Sequence, residues 1–191
     1  MNICILNGSP RPHGNTAELI KPFYEELVSA GATVNNITLS ERTIASCKGC
    51  YHCQNVPDVY GCCQQDDMRE VAGSILESEL LVLATPIYTW FCTTELKAVL
   101  DRFYGFAKYY RSATGNLVEG KRVAILATHG YDASYAADPF VIGIQRMCEH
   151  YHMNYDGMYS VRDVNDLASF QTKKAQTGAR EFARYLFQKN A

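Results

Sequence analysis

No apolar run in this chain approaches the roughly 20 residues that span a bilayer. The first run, Ile3 to Leu6, stops at Asn7-Gly8-Ser9-Pro10 and has no basic residue before it. The expectation is a cytoplasmic chain with neither anchor nor signal peptide, and no membrane partner. A charge excess of either sign is lacking as well. Its 18 Lys and Arg residues stand scattered against 20 Asp and Glu residues, so there is no basic footprint for nucleic acid. Neither G-x-G-x-x-G nor G-x-x-x-x-G-K-[ST] occurs, which argues against a dinucleotide fold and against an NTPase. No Ser–His–Asp set and no carboxylate pair is placed for hydrolysis. Repeats and low-complexity linkers are absent, and the only tryptophan is Trp90. At 191 residues the chain reads as one domain, 1–191, able to bury a core without disulfides or metal.

What the chain does have is a regular alternation of strand-like and helical segments. Ile3 to Leu6, Leu80 to Ala84 and Val123 to Ala127 are uniformly apolar, as strands buried on both faces are. Thr33 to Leu39 mixes Asn35 and Asn36 with Val34 and Ile37 like an edge strand, and Met153 to Tyr159 reads as a weaker second edge. Leu19, Ile20, Phe23, Tyr24, Leu27 and Val28 recur at helical spacing, with Pro22 expected to bend the axis. Further helices are expected over Asp67 to Leu76, Thr94 to Phe103, Pro139 to Glu149 (capped by Asp138) and Leu167 to Phe187. The expectation is an α/β fold of flavodoxin type: a doubly wound, five-stranded parallel sheet with helices on both faces and a ligand at the switch point. The segments 40–65 and 105–120 are too long for ordinary connections, and such loops usually carry function or an interface.

The first strand leads into Asn7-Gly8-Ser9-Pro10-Arg11-Pro12-His13-Gly14-Asn15-Thr16 and then a helix. A helix start at a strand's carboxyl end favours an anion, because its first N–H groups are unpaired and the helix dipole is positive there. Ser9 and Thr16 add hydroxyls, Arg11 a charge, and Gly14 a close backbone approach, which suits a mononucleotide phosphate. The plainer alternative is an ordinary strand-to-helix turn capped by Asn15 or Thr16. At the same sheet end, Thr85-Pro86-Ile87-Tyr88-Thr89-Trp90 could wall a flat heterocycle or simply cover the sheet or a subunit contact. Thr128-His129-Gly130 meets the same place, with His129 either a contact or a satisfied structural histidine.

Together these residues resemble the NADPH-dependent FMN reductase family, which includes the iron–sulfur flavoproteins. The landmarks are Gly8-Ser9-Pro10-Arg11 with Gly14-Asn15-Thr16, Cys47-x2-Cys50-x2-Cys53 leading to Asp66-Asp67-Met68, and Thr85-Pro86-Ile87-Tyr88 followed by Leu96-Lys97 and Asp101-Arg102. The resemblance implies FMN with its phosphate on Ser9, Arg11, Asn15 and Thr16 and its ring against Pro86 to Trp90. It also implies a homodimer or homotetramer. Lys97, Asp101 and Arg102 read as helix-surface charges or interface pairs, and Asp66 and Asp67 as helix caps.

Eight cysteines in a cytoplasmic chain point to metal or redox chemistry rather than disulfides. Cys47, Cys50 and Cys53 are spaced so that a looping backbone can turn all three thiols toward one point, which suits a [4Fe–4S] cluster with a fourth thiolate from Cys62 or Cys63. Cys62 is the better match by its spacing from Asp66, although residues 54–61 make a longer gap than the family's motif has. Bare thiols and a tetrahedral zinc site stay open beside it. Cys4 and Cys148 read as core. The expected activity passes a hydride from NAD(P)H to FMN and electrons on to a flavin, quinone or other small acceptor. No residue is assigned as catalytic, because hydride transfer between two cofactors needs no protein acid or base. Two alternatives stand beside it. One is an electron-transfer protein serving a ferredoxin-like partner through a cluster in loop 46–65, and the other is a sensor whose loop thiols give the output.

Overall fold

Alternate residues of the first strand serve two cores. Ile3 and Ile5 face one side while Cys4 and Leu6 face the other, and all four are buried. This two-sided burial recurs in the central strands and explains their unbroken apolar sequence. The computed structural model describes residues 1–189. Residues 190 and 191, which the sequence reading includes in the domain, lie outside the described residues.

Strands β1 (Asn2–Asn7), β2 (Thr33–Thr38), β3 (Leu80–Pro86), β6 (Arg122–His129) and β7 (Asn154–Arg162) form one parallel sheet in the order β2-β1-β3-β6-β7. Two further strands, β4 (Ala107–Lys108) and β5 (Gly115–Asn116), make a small antiparallel hairpin within the second long loop. Helices α1 (Asn15–Ser29) and α7 (Lys173–Gln188) cover one sheet face through Leu19, Phe23 and Leu27 and through Ala179, Ala183 and Leu186. Helices α2 (Met68–Glu77), α3 (Thr94–Asp101) and α5 (Asp138–His150) cover the other through Val71, Ile75, Leu96, Val99, Phe140 and Ile144. This is the flavodoxin-like arrangement, and strand order reverses beside β1.

Four local expectations are corrected. The long C-terminal helix is two, α6 (Leu167–Phe170) and α7, because Thr172 leaves the helical region and its hydroxyl accepts from Ala175 N at 3.2 Å as a new cap. Helix α3 ends at Asp101, and Arg102–Gly105 form a tighter 3₁₀ turn that carries Arg102 and Phe103 inward. Asp138 lies inside α5 with Ala137 at the cap position, and a short helix α4 (Ala133–Ala136) precedes it. Asp67 caps nothing with its side chain and instead accepts from Thr43 N at 2.7 Å. Helix α1 runs unbroken through Pro22.

Candidate functional site

The loop after β1 is pinned to its neighbours before it meets any ligand. Gly8 N donates to Ala84 O of β3 at 2.8 Å, and Gly8 O accepts from the Thr93 hydroxyl that caps α3. A Cβ at Gly8 would stand 2.8 Å from Leu96 Cβ, so only glycine allows α3 to pack this closely. Ser9 is buried, and its hydroxyl donates to Arg11 O and accepts from Arg11 N, which folds the loop back on itself. Helix α1 starts with Gly14 at the cap position and no side-chain cap. Neither Asn15 nor Thr16 is the cap. Asn15 donates to Asp163 at 2.7 Å and Thr16 pairs with the Thr128 hydroxyl at 3.2 Å. The N–H groups of Asn15 and Thr16, the first two of the helix, have no helical carbonyl before them to bond, whereas those of Ala17 and Glu18 already reach Gly14 O.

These residues line a cavity of about 210 Å³ at the carboxyl ends of β1, β3 and β6. Ser9, Arg11, Asn15 and Thr16 form one wall, Pro86, Ile87 and Tyr88 a second, and Thr128, His129 and Gly130 a third. The volume is below the roughly 300–1,000 Å³ of pockets that enclose a whole ligand, so the cavity can enclose only part of a nucleotide. A larger groove of about 510 Å³ runs between α1 and the edge strand β2, lined by Lys21, Tyr24 and Asn36 among others, but none of the helix-start donors faces it. Gly14, Thr85, Thr89 and Trp90 stand outside the cavity lining. Thr85 is wholly buried, and its hydroxyl is committed to Pro86 O and Thr93 N. Thr89 and Trp90 occupy the left-handed region with φ of 49° and 67°, forming the tip of a tight turn closed between Tyr88 and Phe91. That turn swings Trp90 against Tyr135, with ring centroids 5.8 Å apart.

His129 lines the cavity but has both ring nitrogens engaged, Nδ1 with Tyr131 O at 2.6 Å and Nε2 with the Ser160 hydroxyl at 3.0 Å. It offers a ligand no free nitrogen. Asp163 is the lining residue that the sequence reading missed. Its carboxylate is spoken for by Asn15 Nδ2 and by Asp166 N, so its charge is partly compensated. The signal was its place just beyond the last strand, which the sequence reading ended too early at Tyr159. Asn15 Oδ1 is buried without a partner among the described residues, leaving one acceptor that a ligand hydroxyl would satisfy. Unpaired helix N–H groups, a hydroxyl pair and an arginine fit a phosphate ester, and Ile87 with Tyr88 offers an apolar rim beside it.

A second cavity of about 170 Å³ is lined by Cys47, Cys50, Cys53, Cys62 and Cys63 with Tyr51 and Tyr104. Two anchors hold this loop. Gln54 is fully buried, and its amide donates to Tyr104 O and Ala107 O at 2.6 and 2.8 Å while accepting from Tyr109 N and Tyr110 N. Arg102, expected on a helix surface, is instead only 2% exposed. Its Nη1 donates to Asp66 Oδ2 at 2.6 Å and Ala45 O at 3.3 Å, and its Nη2 to Cys62 Sγ at 3.3 Å. Asp66 also accepts from Ala45 N and, in the manner of a cap, from Met68 N. Burial works to raise the Asp66 carboxyl, but Arg102 and the Ala45 N–H outweigh it and hold the group below its ordinary value.

Burial pushes Cys53 up, and it lowers the ammonium of Lys108. The His52 N–H holds Cys50 below the usual thiol value. Cys4 and Cys148 are core thiols, each raised by burial to about 12. Among the described residues no group of three or more His, Cys, Asp or Glu is placed around a single ion. No described helix is long and apolar enough to cross a membrane.

A family model described as NADPH-dependent FMN reductase matches residues 1–139, which carry the loop after β1 and all five clustered cysteines. An iron–sulfur flavoprotein of Archaeoglobus fulgidus is 34% identical over 50% of this chain and 42% of its own length. One from Methanocaldococcus jannaschii is 28% identical over 53% of this chain and 51% of its own length. The chain thus spans about half the length of the curated relatives it matches. Among solved structures, the NAD(P)H:quinone oxidoreductase of Methanothermobacter marburgensis superposes with a TM-score of 0.72 at 20% identity, covering 98% of this chain and 97% of its own. The FMN-dependent NADH-azoreductase of Bacillus anthracis, solved with FMN, gives a TM-score of 0.72 at 16% identity and covers 97% and 99%. At these identities the two structures speak for the fold.

Proposed function

The chain belongs to the NADPH-dependent FMN reductase family, and from that premise we propose that it is an FMN-dependent oxidoreductase taking electrons from NAD(P)H and delivering them to a flavin, quinone or other small acceptor. The observation that carries the reading is the cavity at the sheet's carboxyl end, where α1 offers unpaired N–H groups beside Arg11, Thr16 and Thr128. FMN when bound supplies the hydride and electron chemistry. The chain's own residues bind and orient. Arg11 and the start of α1 hold the phosphate, Asp163 fixes the Asn15 amide so that its oxygen accepts from a ligand hydroxyl, and Pro86, Ile87 and Tyr88 form the apolar rim. His129, tied at both nitrogens, braces β6 against β7.

A second reading rests on the five thiols around one cavity and on relatives named iron–sulfur flavoproteins. In it Cys47, Cys50, Cys53 and Cys62 hold a [4Fe–4S] cluster that exchanges single electrons with a ferredoxin-like partner, with Arg102 hydrogen-bonded to the Cys62 sulfur. Assaying iron and acid-labile sulfide in anaerobically purified protein separates the two. Near four of each per chain favours the cluster, and none favours the simple reductase.

Arg11→Ala tests the phosphate assignment. It should weaken FMN by about 1.5–3 kcal/mol, or about 10- to 150-fold in Kd, the range for hydrogen bonds to a charged group. Riboflavin, which lacks the phosphate, should lose far less. Equal weakening of both ligands would remove Arg11 from the phosphate and with it the placement of this loop.

A further inference from the structure

Cys62 and Cys63 are neighbours with opposite surroundings. Cys62 points inward, where Arg102 Nη2 donates to its sulfur at 3.3 Å. Cys63 points outward, and its sulfur lies 3.9 Å from that of Cys50, both residues being exposed. The cause lies one residue earlier. A Cβ on Gly61 would sit 2.8 Å from Val56 Cβ and 2.9 Å from Cys53 O, so glycine lets the returning chain run hard against the outgoing one. Arg102 then takes one of the two adjacent thiols and the alternation of side chains sends the other to Cys50.

We propose that Cys50 and Cys63 are a reversible redox pair that closes to a disulfide under hydrogen peroxide and reopens with thiol reductant. The sulfurs are already in contact, and rotation about the two Cα–Cβ bonds brings them toward the bonded distance of about 2.05 Å. In the step, one thiolate attacks the peroxide, taking one oxygen as a sulfenic acid while the other leaves as water. The second thiolate then attacks that sulfur, forming the S–S bond and releasing the second oxygen as water. Two thiols lose two electrons and two protons, and one peroxide becomes two waters. Because Cys50 cannot be both a metal ligand and half of a disulfide, closure withdraws one thiolate from any ligand set in this loop. The inference stands on the thiol geometry and is independent of the flavin reading.

The test treats the purified full chain with graded hydrogen peroxide, with iron assayed on the same samples, then blocks free thiols and digests with chymotrypsin. Cleavage after Tyr51 and Tyr60 leaves Cys47 with Cys50 on one peptide, Cys53 on a second and Cys62 with Cys63 on a third, and fragmentation of the linked peptides by tandem mass spectrometry assigns which cysteine of each is joined. The expected product joins Cys50 to Cys63, at least tenfold over any other pair, and is reversed by dithiothreitol. In Cys63→Ser, an exposed position that should not disturb folding, cross-linking of Cys50 should fall at least tenfold and Cys50 should accumulate as sulfinic acid. Dominant pairing of Cys50 with Cys47, Cys53 or Cys62 would overturn the proposal. So would oxidation of Cys50 to sulfinic acid in the unaltered protein before any linkage appears.

Discussion

Arg102→Leu should lower folding stability by about 3–5 kcal/mol, the range for removing one partner of a buried ion pair. The guanidinium is buried, and Asp66 beside it is nearly so, with side-chain exposures of 1% and 9%. Leucine would leave that carboxylate with only the Ala45 and Met68 N–H groups, and would free Ala45 O and the Cys62 sulfur. Asp66→Asn combined with Arg102→Leu should recover part of the loss, because no charge is then stranded. Urea unfolding measures all three proteins. A loss below about 1 kcal/mol would class the pair with ordinary surface bridges and refute its structural role.

The pH dependence has a definite sign. Asp66 is held below its ordinary value in the fold, so its contribution is fully present above the unfolded carboxylate value of about 3.9 and is lost as pH falls through the lower folded value. Arg102→Leu should remove most of that acid sensitivity.

Gln54→Leu should cost at least about 3 kcal/mol, because one side chain satisfies four backbone groups and each buried group left unpaired costs about 1–3 kcal/mol. Two of those groups are carbonyls, of Tyr104 and Ala107, and two are the N–H groups of Tyr109 and Tyr110. The damage should be local. Hydrogen exchange should accelerate at the Tyr109 and Tyr110 amides while β1, β3 and β6 stay protected. Unchanged protection at those two amides would show that their bonds to Gln54 do not hold them.

The sheet and the division into central and edge strands were legible because burial on both faces leaves a plain mark: Leu80 to Ala84 and Val123 to Ala127 contain nothing polar. The helix-start cavity was legible for a related reason, since glycines, hydroxyls and an arginine after a strand have few other uses. Ten of the residues named from sequence line that cavity, from Ser9 to Gly130. What the sequence hid is long-range. Arg102 follows a surface pair, Lys97–Asp101, that the reading placed correctly, and nothing local says that the helix tightens there and turns the next residue inward. Gln54 sits among cysteines that drew the eye, and its four partners lie some fifty residues on. Trp90 stands in one aromatic run with Tyr88 and Phe91, and nothing in that run says that two consecutive left-handed residues turn the chain there, take Trp90 off the cavity lining and set it against Tyr135. Backbone turns made by non-glycine residues carry almost no sequence signal.

The central claim is that this chain binds FMN and reduces it with a nicotinamide. Apoprotein prepared without oxygen should be reconstituted with FMN, freed of excess, and mixed with NADPH or NADH while the flavin absorbance is followed. The account predicts one FMN per chain and full bleaching with one equivalent of at least one nicotinamide, with colour returning when a quinone or free flavin is added. Stoichiometric FMN that neither NADPH nor NADH bleaches would contradict it.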